Sequence, residues 1–360
     1  MFCIAAFIIL GILSIFSARY RRLAAEAWKC VARKTTFRKC DTSFKADMKS
    51  RLLGKLSVRR PRLAKLLDKW IEVLAFLFVL LTIWSLFMTV KSGLNLYVYD
   101  TCNPNAPESC SLGAEACSVD TIQPSLWQSV KTGHIASWAH RTVNQFGETL
   151  SQVPDRLKKW NPRQYTTSTS SYYYSFSTTK KTALEIVDPG CRFCAQLFRN
   201  MKAASVESRY NLTYIAYPIP DSRNANGYKF PHSYHIATYL EAIKEQPLAG
   251  AKVPADWQIL ERIFTWKDPA TGVGYQTEIN VIDNNQQVDN LLQKWLSAIG
   301  YSDGQVQSIN RAAQSQKAKD NLASQRQIVE KKIKTVKIPT LLLDTRRYDG
   351  VVDTNQLKRQ

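Results

Sequence analysis

Apolar residues are distributed along this chain in two different ways. In the first ninety positions they form two long blocks separated by a polar one. Residues 2–16 are almost purely apolar and, with Met1 and Ser17, just reach the ~17-residue lower limit for a bilayer-spanning helix. Residues 70–90 form a second block of ample length, with Glu72 at its edge and Trp84 inside. After residue 180 the apolar positions come instead in the short runs of buried strands. These are 184–187, 211–217 and 337–343. Between the first two, Ala195, Leu197, Phe198 and Met201 share one helical face over roughly 191–206. Strand, helix and strand at this spacing predict a right-handed βαβ unit and a parallel pair. The second and third runs are separated by a long stretch of helical pattern, with helices expected at 235–245, 257–265, 288–299 and 305–334.

Charge gives the two long blocks a direction. Residues 18–70 carry 17 Lys and Arg against 4 Asp and Glu, most of the chain's net +20. A basic run of this kind can bind nucleic acid, but between two apolar blocks the positive-inside rule accounts for it. The reading is a membrane helix over 1–17, a basic cytoplasmic loop over 18–70 resting on anionic lipid through stretches such as 45–56, and a second membrane helix over 71–91. Nothing basic precedes Phe2, whereas Arg19, Arg21 and Arg22 follow the block. A cleavable signal peptide has the reverse order, so the first helix is expected to be retained with its N-terminus outside. Everything after Val90 then lies outside the cytoplasm.

The candidate chemistry sits where the first strand hands over to its helix. Cys191-Arg192-Phe193-Cys194 follows Ala183-Leu184-Glu185-Ile186-Val187 almost directly. A cysteine opening a helix faces the positive end of the macrodipole and unpaired N–H groups, which favours the nucleophilic thiolate. A second cysteine nearly one turn later can resolve a mixed disulfide. Half of a zinc site reads the same way, but there is no second C-x-x-C, and Cys102, Cys110 and Cys117 are spaced eight and seven apart. Redox chemistry is the better reading, and no metal or organic cofactor is called for. Cys30 and Cys40 fall in the cytoplasmic loop and Cys3 near the outer end of the first helix. The cysteines after residue 100 fall where disulfides persist. Either Cys102–Cys110 or Cys110–Cys117 closes a small loop and leaves one thiol over, to relay to Cys191 and Cys194, to bind another chain, or to be buried.

Ile338-Pro339-Thr340, about 145 residues beyond the pair and followed by three leucines, resembles the cis-proline loop of the thioredoxin superfamily. The resemblance implies a cis Ile338–Pro339 bond beside the cysteines, with nearby backbone free to pair with an extended substrate. The bland alternative is a trans proline at a strand start. Glu185, six residues before Cys191, matches a semi-buried carboxylate that helps move the second cysteine's proton in that family; otherwise it is a partly exposed strand residue. Asp188-Pro189-Gly190 is similar to the Asp-Pro lead-in of many extracytoplasmic members, though turn-shaping alone explains it. Arg192 departs from the proline common at that place, and its guanidinium is expected to favour the Cys191 thiolate. The helical insertion, about 228–334, is how DsbA-like thiol:disulfide oxidoreductases differ from thioredoxin. Pro231-His232-Ser233-Tyr234-His235 looks like the start of its first helix. His232 and His235 are expected to cap and pack rather than to bind metal, and His134 and His140 to be surface residues.

The fold class expected is therefore α/β: a thioredoxin-like fold with a helical insertion over 182–360, preceded by two transmembrane helices. Residues 92–181 are expected to form an irregular collar, a helical stalk over 121–160 and a Ser/Thr/Tyr-rich tract that is either a linker or, the preferred reading, an edge strand near 172–176. The chain should end in a strand at 351–352 and a closing helix of a turn or two at most, capped by Thr354. The resemblance implies an extracytoplasmic oxidoreductase of the bacterial cell membrane that oxidises exported cysteine-containing proteins and is reset by a membrane redox partner. A reductase or isomerase of the same fold is the alternative. A non-catalytic, membrane-tethered assembly module with a structural disulfide, or a zinc platform, are the readings from other classes.

Overall fold

The computed structural model describes residues 2–35, 50, 61–106, 110, 113–119, 124–282 and 284–360, and it divides into compact units 1–90 and 91–360. In the first unit, α1 (Phe2–Phe16) and α2 (Ala18–Thr35) fold back on each other, with Ala6 and Leu10 buried against Ala27 and Cys30. α3 (Pro61–Tyr99) carries a 27-residue stretch, Val73–Tyr99, of mean hydropathy 2.5. It is long and apolar enough to cross a membrane, while the apolar stretch of α1, Ile4–Ile15, is shorter. Leu81, Ile83 and Leu86 on α3 are exposed, as lipid-facing side chains would be. Cys30 is disulfide-bonded, which runs against the reduced thiol expected of a cytoplasmic loop. The helix expected around 45–56 lies, except for Ser50, outside the described residues.

The irregular collar was expected from residue 92, but α3 persists to Tyr99 because its apolar pattern does, with Val98 and Tyr99 buried. Asp100, in the left-handed region at φ 52°, ends it. The following loop holds a Cys102–Cys110 disulfide and the two-residue strand β1 (Cys117–Ser118). The stalk consists of α4 (Leu126–Lys131), α5 (Ile135–Ser151) and α6 (Val153–Leu157). Ser125 and Gln128 form a capping box at the start of α4. α5 docks on the end of α3 through Thr149 Oγ1 to Asn95 Oδ1 (2.9 Å) and Lys91 Nζ to Gln145 Oε1 (3.0 Å).

The second unit is built on a four-stranded sheet. β2 (Thr182–Val187) runs parallel to β3 (Asn211–Ala216), joined through α7 (Arg192–Ala203) and α8 (Val206–Arg209). After the short β4 (Lys337–Ile338), β5 (Thr340–Leu343) and β6 (Arg346–Asp349) add antiparallel on the other side, giving the order β3-β2-β5-β6. β2 is buried along its whole length, as expected of a central strand covered on both faces. This mixed sheet, with its βαβ crossover and its proline loop, is a thioredoxin-like fold. The insertion between β3 and β4 is helical: α9 (Ser233–Lys244), α10 (Ala255–Thr265), α11 (Tyr275–Ile279), α12 (Asn285–Ile299), α13 (Asp303–Ala313) and α14 (Gln316–Gln327). Trp257 of α10 joins insertion to sheet, edge-on to Tyr214 at 4.7 Å and to Tyr173 at 5.3 Å. Such pairs contribute about 0.5–1.5 kcal/mol each beyond area burial.

Four expectations are corrected. The helix expected over 305–334 is broken, because Ser315 caps a new start by accepting from the Ala318 N–H. The tract near 172–176 makes a single bridge, Tyr172 to Thr213. Asn211 takes the backbone away after it, donating to the Ser177 and Lys180 carbonyls. The last strand is 346–349 rather than 351–352. Gly350 (φ 107°) turns the chain, and the Val351 N–H goes to the Glu115 carbonyl (2.9 Å) instead of to the sheet. α15 (Thr354–Lys358) closes the chain in five residues, capped by Asp353 rather than Thr354. Its Leu357 is fully buried.

Candidate active site

The C-x-x-C loop is held by backbone geometry first. Cys191 is the N-cap of α7, extended at φ −81° and ψ 118°, and its carbonyl accepts from the Cys194 N–H (3.0 Å). Its side chain therefore stands at the positive end of a twelve-residue helix. Gly190 permits the approach to the insertion, since a Cβ there would lie 2.5 Å from the Phe230 side chain and 2.8 Å from Ser233 Oγ. Asp188 is wholly buried and pins the turn, accepting from the N–H groups of Gly190 (2.8 Å) and Ile219 (2.7 Å) and from the Ser233 hydroxyl. Desolvation outweighs these donors and raises its carboxyl to about 6.

A second clamp comes from the insertion. Gln276 of α11 donates Nε2 to the carbonyls of Pro189 (2.8 Å) and Cys191 (3.0 Å), and Asn280 donates to that of Gly190 (2.9 Å). Three consecutive carbonyls of the loop are thus satisfied by two amides. No periodic or motif signal marks these residues in the sequence. His232 and His235 have structural partners: Asn285 and the Ile282 carbonyl for the first, Asp289 for the second.

Glu185 is wholly buried on β2, and neither carboxylate oxygen has a hydrogen-bond partner among the described residues. Burial pushes its pKa well above the ordinary carboxylate range. Cys194 is a free thiol, also wholly buried. Burial, then the negative charges of Glu185 and Asp188, hold its pKa well above that of an ordinary thiol. The Asp188 N–H, 3.4 Å from the sulfur, works the other way. The charge of Glu185 thus reaches Cys194 inside the domain, although no hydrogen bond joins them.

The opposite wall is the proline loop. The Ile338–Pro339 peptide is cis, and Cys191 Sγ lies 3.7 Å from the Ile338 carbonyl oxygen. Arg192 is exposed, with its guanidinium 4.6 Å from the centre of the Phe193 ring. The structure thus brings Cys191, Cys194, Glu185 and the proline loop into one site, with Arg192 at its rim.

One pairing differs from expectation. Cys191 is joined not to Cys194 but to Cys117, 74 residues earlier, with a Cα–Cα distance of 6.6 Å. Cys117 arrives on β1, which pairs antiparallel with β4 so that Cys117 faces Ile338 and Ser118 faces Lys337. Among the described residues, no group of three or more His, Cys, Asp or Glu side chains is arranged to hold a metal ion.

No protein-family model matches this chain, and no curated protein matches it either. Among solved structures it is similar to a thioredoxin-like oxidoreductase from Silicibacter pomeroyi DSS-3, at 13% identity and a TM-score of 0.37 over 54% of this chain and 91% of that one. ScsC of Proteus mirabilis in a transitional conformation is similar at 12% identity and TM-score 0.36, over 64% of this chain and 95% of that one. MdbA, a thiol-disulfide oxidoreductase from Corynebacterium matruchotii, is similar at 14% identity and TM-score 0.37, over 55% and 95%. Likeness this distant does not reach substrates or activity. The fold assignment stands on the chain's own strand order, crossover and proline loop.

Proposed function

We propose that this protein is a membrane-anchored thiol:disulfide oxidoreductase that oxidises exported, cysteine-containing proteins outside the cytoplasm through Cys191 and Cys194. The observation that carries the reading is the placement of Cys191 at a helix N-terminus against a cis-proline loop, with a buried thiol and a buried carboxylate behind it. A substrate thiolate attacks Cys191 in its disulfide with Cys194. The Cys194 sulfur leaves with the electron pair and takes a proton, with Glu185 as the neighbouring acid. The substrate's second thiolate then attacks its own mixed-disulfide sulfur and expels Cys191. Two electrons have passed to the protein, and a redox partner in the membrane removes them. Backbone beside Pro339 aligns the substrate by strand addition, and Arg192 at the rim favours the Cys191 thiolate. No organic or metal cofactor takes part.

The reading places catalysis in residues 182–360 and the protein in a bacterial cell membrane, crossing it twice with a cytoplasmic basic loop. The charge of residues 18–70 supports that topology and the oxidised Cys30 opposes it. Labelling Cys30 in intact and opened cells under reducing conditions decides: reaction only after opening the cells keeps the loop inside.

The function is tested on the full chain in detergent, equilibrated against glutathione buffers while alkylation of Cys191 is followed across pH. A depressed Cys191 pKa with an oxidising potential is the expected result. A potential near thioredoxin's turns the reading to a reductase. A Cys191 of ordinary pKa in a disulfide that resists reduction leaves only an assembly module.

A further inference from the structure

The segment 113–119 occupies the place where an extended substrate would lie. It is fixed from four sides. β1 pairs with β4 next to the cis-proline, and the Val119 N–H extends the pairing to the Val336 carbonyl (2.9 Å). The Val351 N–H holds the Glu115 carbonyl, while Gly350 donates to the Pro339 carbonyl (2.8 Å). Gly350 is itself required for the approach, because a Cβ there would lie 2.9 Å from both Ala114 Cβ and Glu115 O. Lys337, wholly buried, turns its ammonium to the carbonyls of Asp100 (3.1 Å) and Ala114 (3.5 Å). At the centre the Cys117 sulfur is bonded to that of Cys191, and both cysteines are buried.

Strand pairing beside the proline and a disulfide to the helix-capping cysteine are the two features of a mixed disulfide between such a domain and its substrate. Here both are supplied by the chain itself. We infer that Cys117 is a third redox cysteine of this site and that its strand is a tethered substrate mimic, which must leave before an external polypeptide can enter.

The inference rests on the exchange function proposed above. Its chemistry is balanced within the molecule. The Cys194 thiol gives up its proton and attacks Cys191 Sγ as the thiolate, a Cys191–Cys194 bond forms as the Cys117–Cys191 bond breaks, and Cys117 leaves as a thiolate that takes up a proton in exchange. No oxidant is consumed, and the disulfide passes from the blocked pair to the working pair. The return attack of Cys117 on Cys191 closes the site again. An arriving thiol competes with that return, so the tether selects for extended segments able to displace β1 from β4.

The test uses the full-length protein in detergent, with reduced, unfolded ribonuclease as the probe thiol. Disulfides are mapped by alkylation and peptide mass as glutathione is varied. Wild type should contain the Cys117–Cys191 link and exchange it with Cys191–Cys194, whereas C194S should keep the first link alone. A cysteine carried on the same chain and held beside the site competes at about millimolar effective concentration, so C117S should oxidise a micromolar probe about tenfold faster or more. V119P, which removes one pairing N–H and keeps every cysteine, should be faster in the same direction and guards against a folding defect in C117S. If Cys191 is found paired only with Cys194 and C117S and V119P react at the wild-type rate, the tether is overturned and the exchange function stands. If no variant and no wild-type protein reacts with the probe, both fall.

Discussion

The two disulfides that follow the long helix differ in what they join. Cys102–Cys110 links residues eight apart, with a Cα–Cα distance of 5.7 Å, and closes a loop inside one segment. Cys117–Cys191 links residues 74 apart and joins that segment to the N-terminus of α7. The first closes a loop beside β1, where the Ser118 hydroxyl donates to the Pro104 carbonyl (2.8 Å), and leaves the Cys191 sulfur untouched. The second ties up the Cys191 sulfur, the nucleophile of the proposed exchange, and seats β1 beside the proline loop. A disulfide placed on the reacting sulfur has a consequence that no staple of similar bond geometry has. It sets which chain segment the site is occupied by.

Stability separates the two most strongly. In the loop-entropy picture, closing 74 residues is worth about 4.5 kcal/mol and closing eight about 2.5 kcal/mol. C117S should therefore lower the urea midpoint more than C102S, measured on the full chain in detergent under oxidising conditions. Equal losses would mean that the 113–119 segment stays docked without its bond, through β4, Val351 and Lys337. The same pair of variants should differ in probe oxidation, where C102S leaves the rate near wild type.

How much of this was legible in the sequence follows the same divide. Runs of local pattern were readable: the apolar strand before the cysteines, the buried face of α7, the Ile-Pro-Thr-Leu loop and the helical insertion all announce themselves within a few residues. The parallel β2–β3 pair follows from them by handedness alone. What lay beyond reach depends on tertiary partners. Three cysteines between 100 and 120 leave the pairing open, because spacing carries no record of a partner 74 residues away. β6 was misplaced because Arg346-Arg347-Tyr348-Asp349 is a polar edge strand with no apolar run to mark it. Gln276, Asn280 and Lys337 act on backbone carbonyls, which any sequence supplies.

The floor of the site gives a second contrast, between a buried carboxylate with donors and one without. Asp188 accepts from two N–H groups and a hydroxyl, while Glu185 has no partner among the described residues. The Glu185 pKa is raised above its unfolded value near 4.5, so folding favours the protonated form. Below the unfolded pKa that group costs no stability. As pH rises toward and through the folded pKa, the penalty grows and stability falls. E185Q should therefore stabilise the protein by ~1–3 kcal/mol, the scale of an unsatisfied buried group, with the gain larger at pH 8 than at pH 4. It should also slow release of Cys194 and move that cysteine's alkylation profile to lower pH, since a negative neighbour is gone. D188N should go the other way in stability, because an amide meets three donors with one acceptor. A thermal midpoint that is lower for E185Q at pH 8 would mean that a partner satisfies Glu185 in solution.

The smallest effect separates the two clamps on the loop. Asp188 binds its N–H groups from below, and Gln276 binds its carbonyls from the insertion. Q276A removes two hydrogen bonds at net values of about 1 kcal/mol each. It does so at a part-buried position that water can refill, so a loss near 1 kcal/mol is expected. Its readout belongs to the reaction rather than to the fold. The Cys191 carbonyl also accepts the first N–H bonds of α7, and freeing it loosens the helix end on which the Cys191 thiolate depends. Q276A should raise the Cys191 pKa in the reduced protein, a shift followed by the ultraviolet absorbance of the thiolate, and Q276E should do so more strongly by adding negative charge. If both variants leave the thiolate profile unchanged, the insertion merely covers the site, and the loop's electrostatics are set by α7 and Asp188 alone.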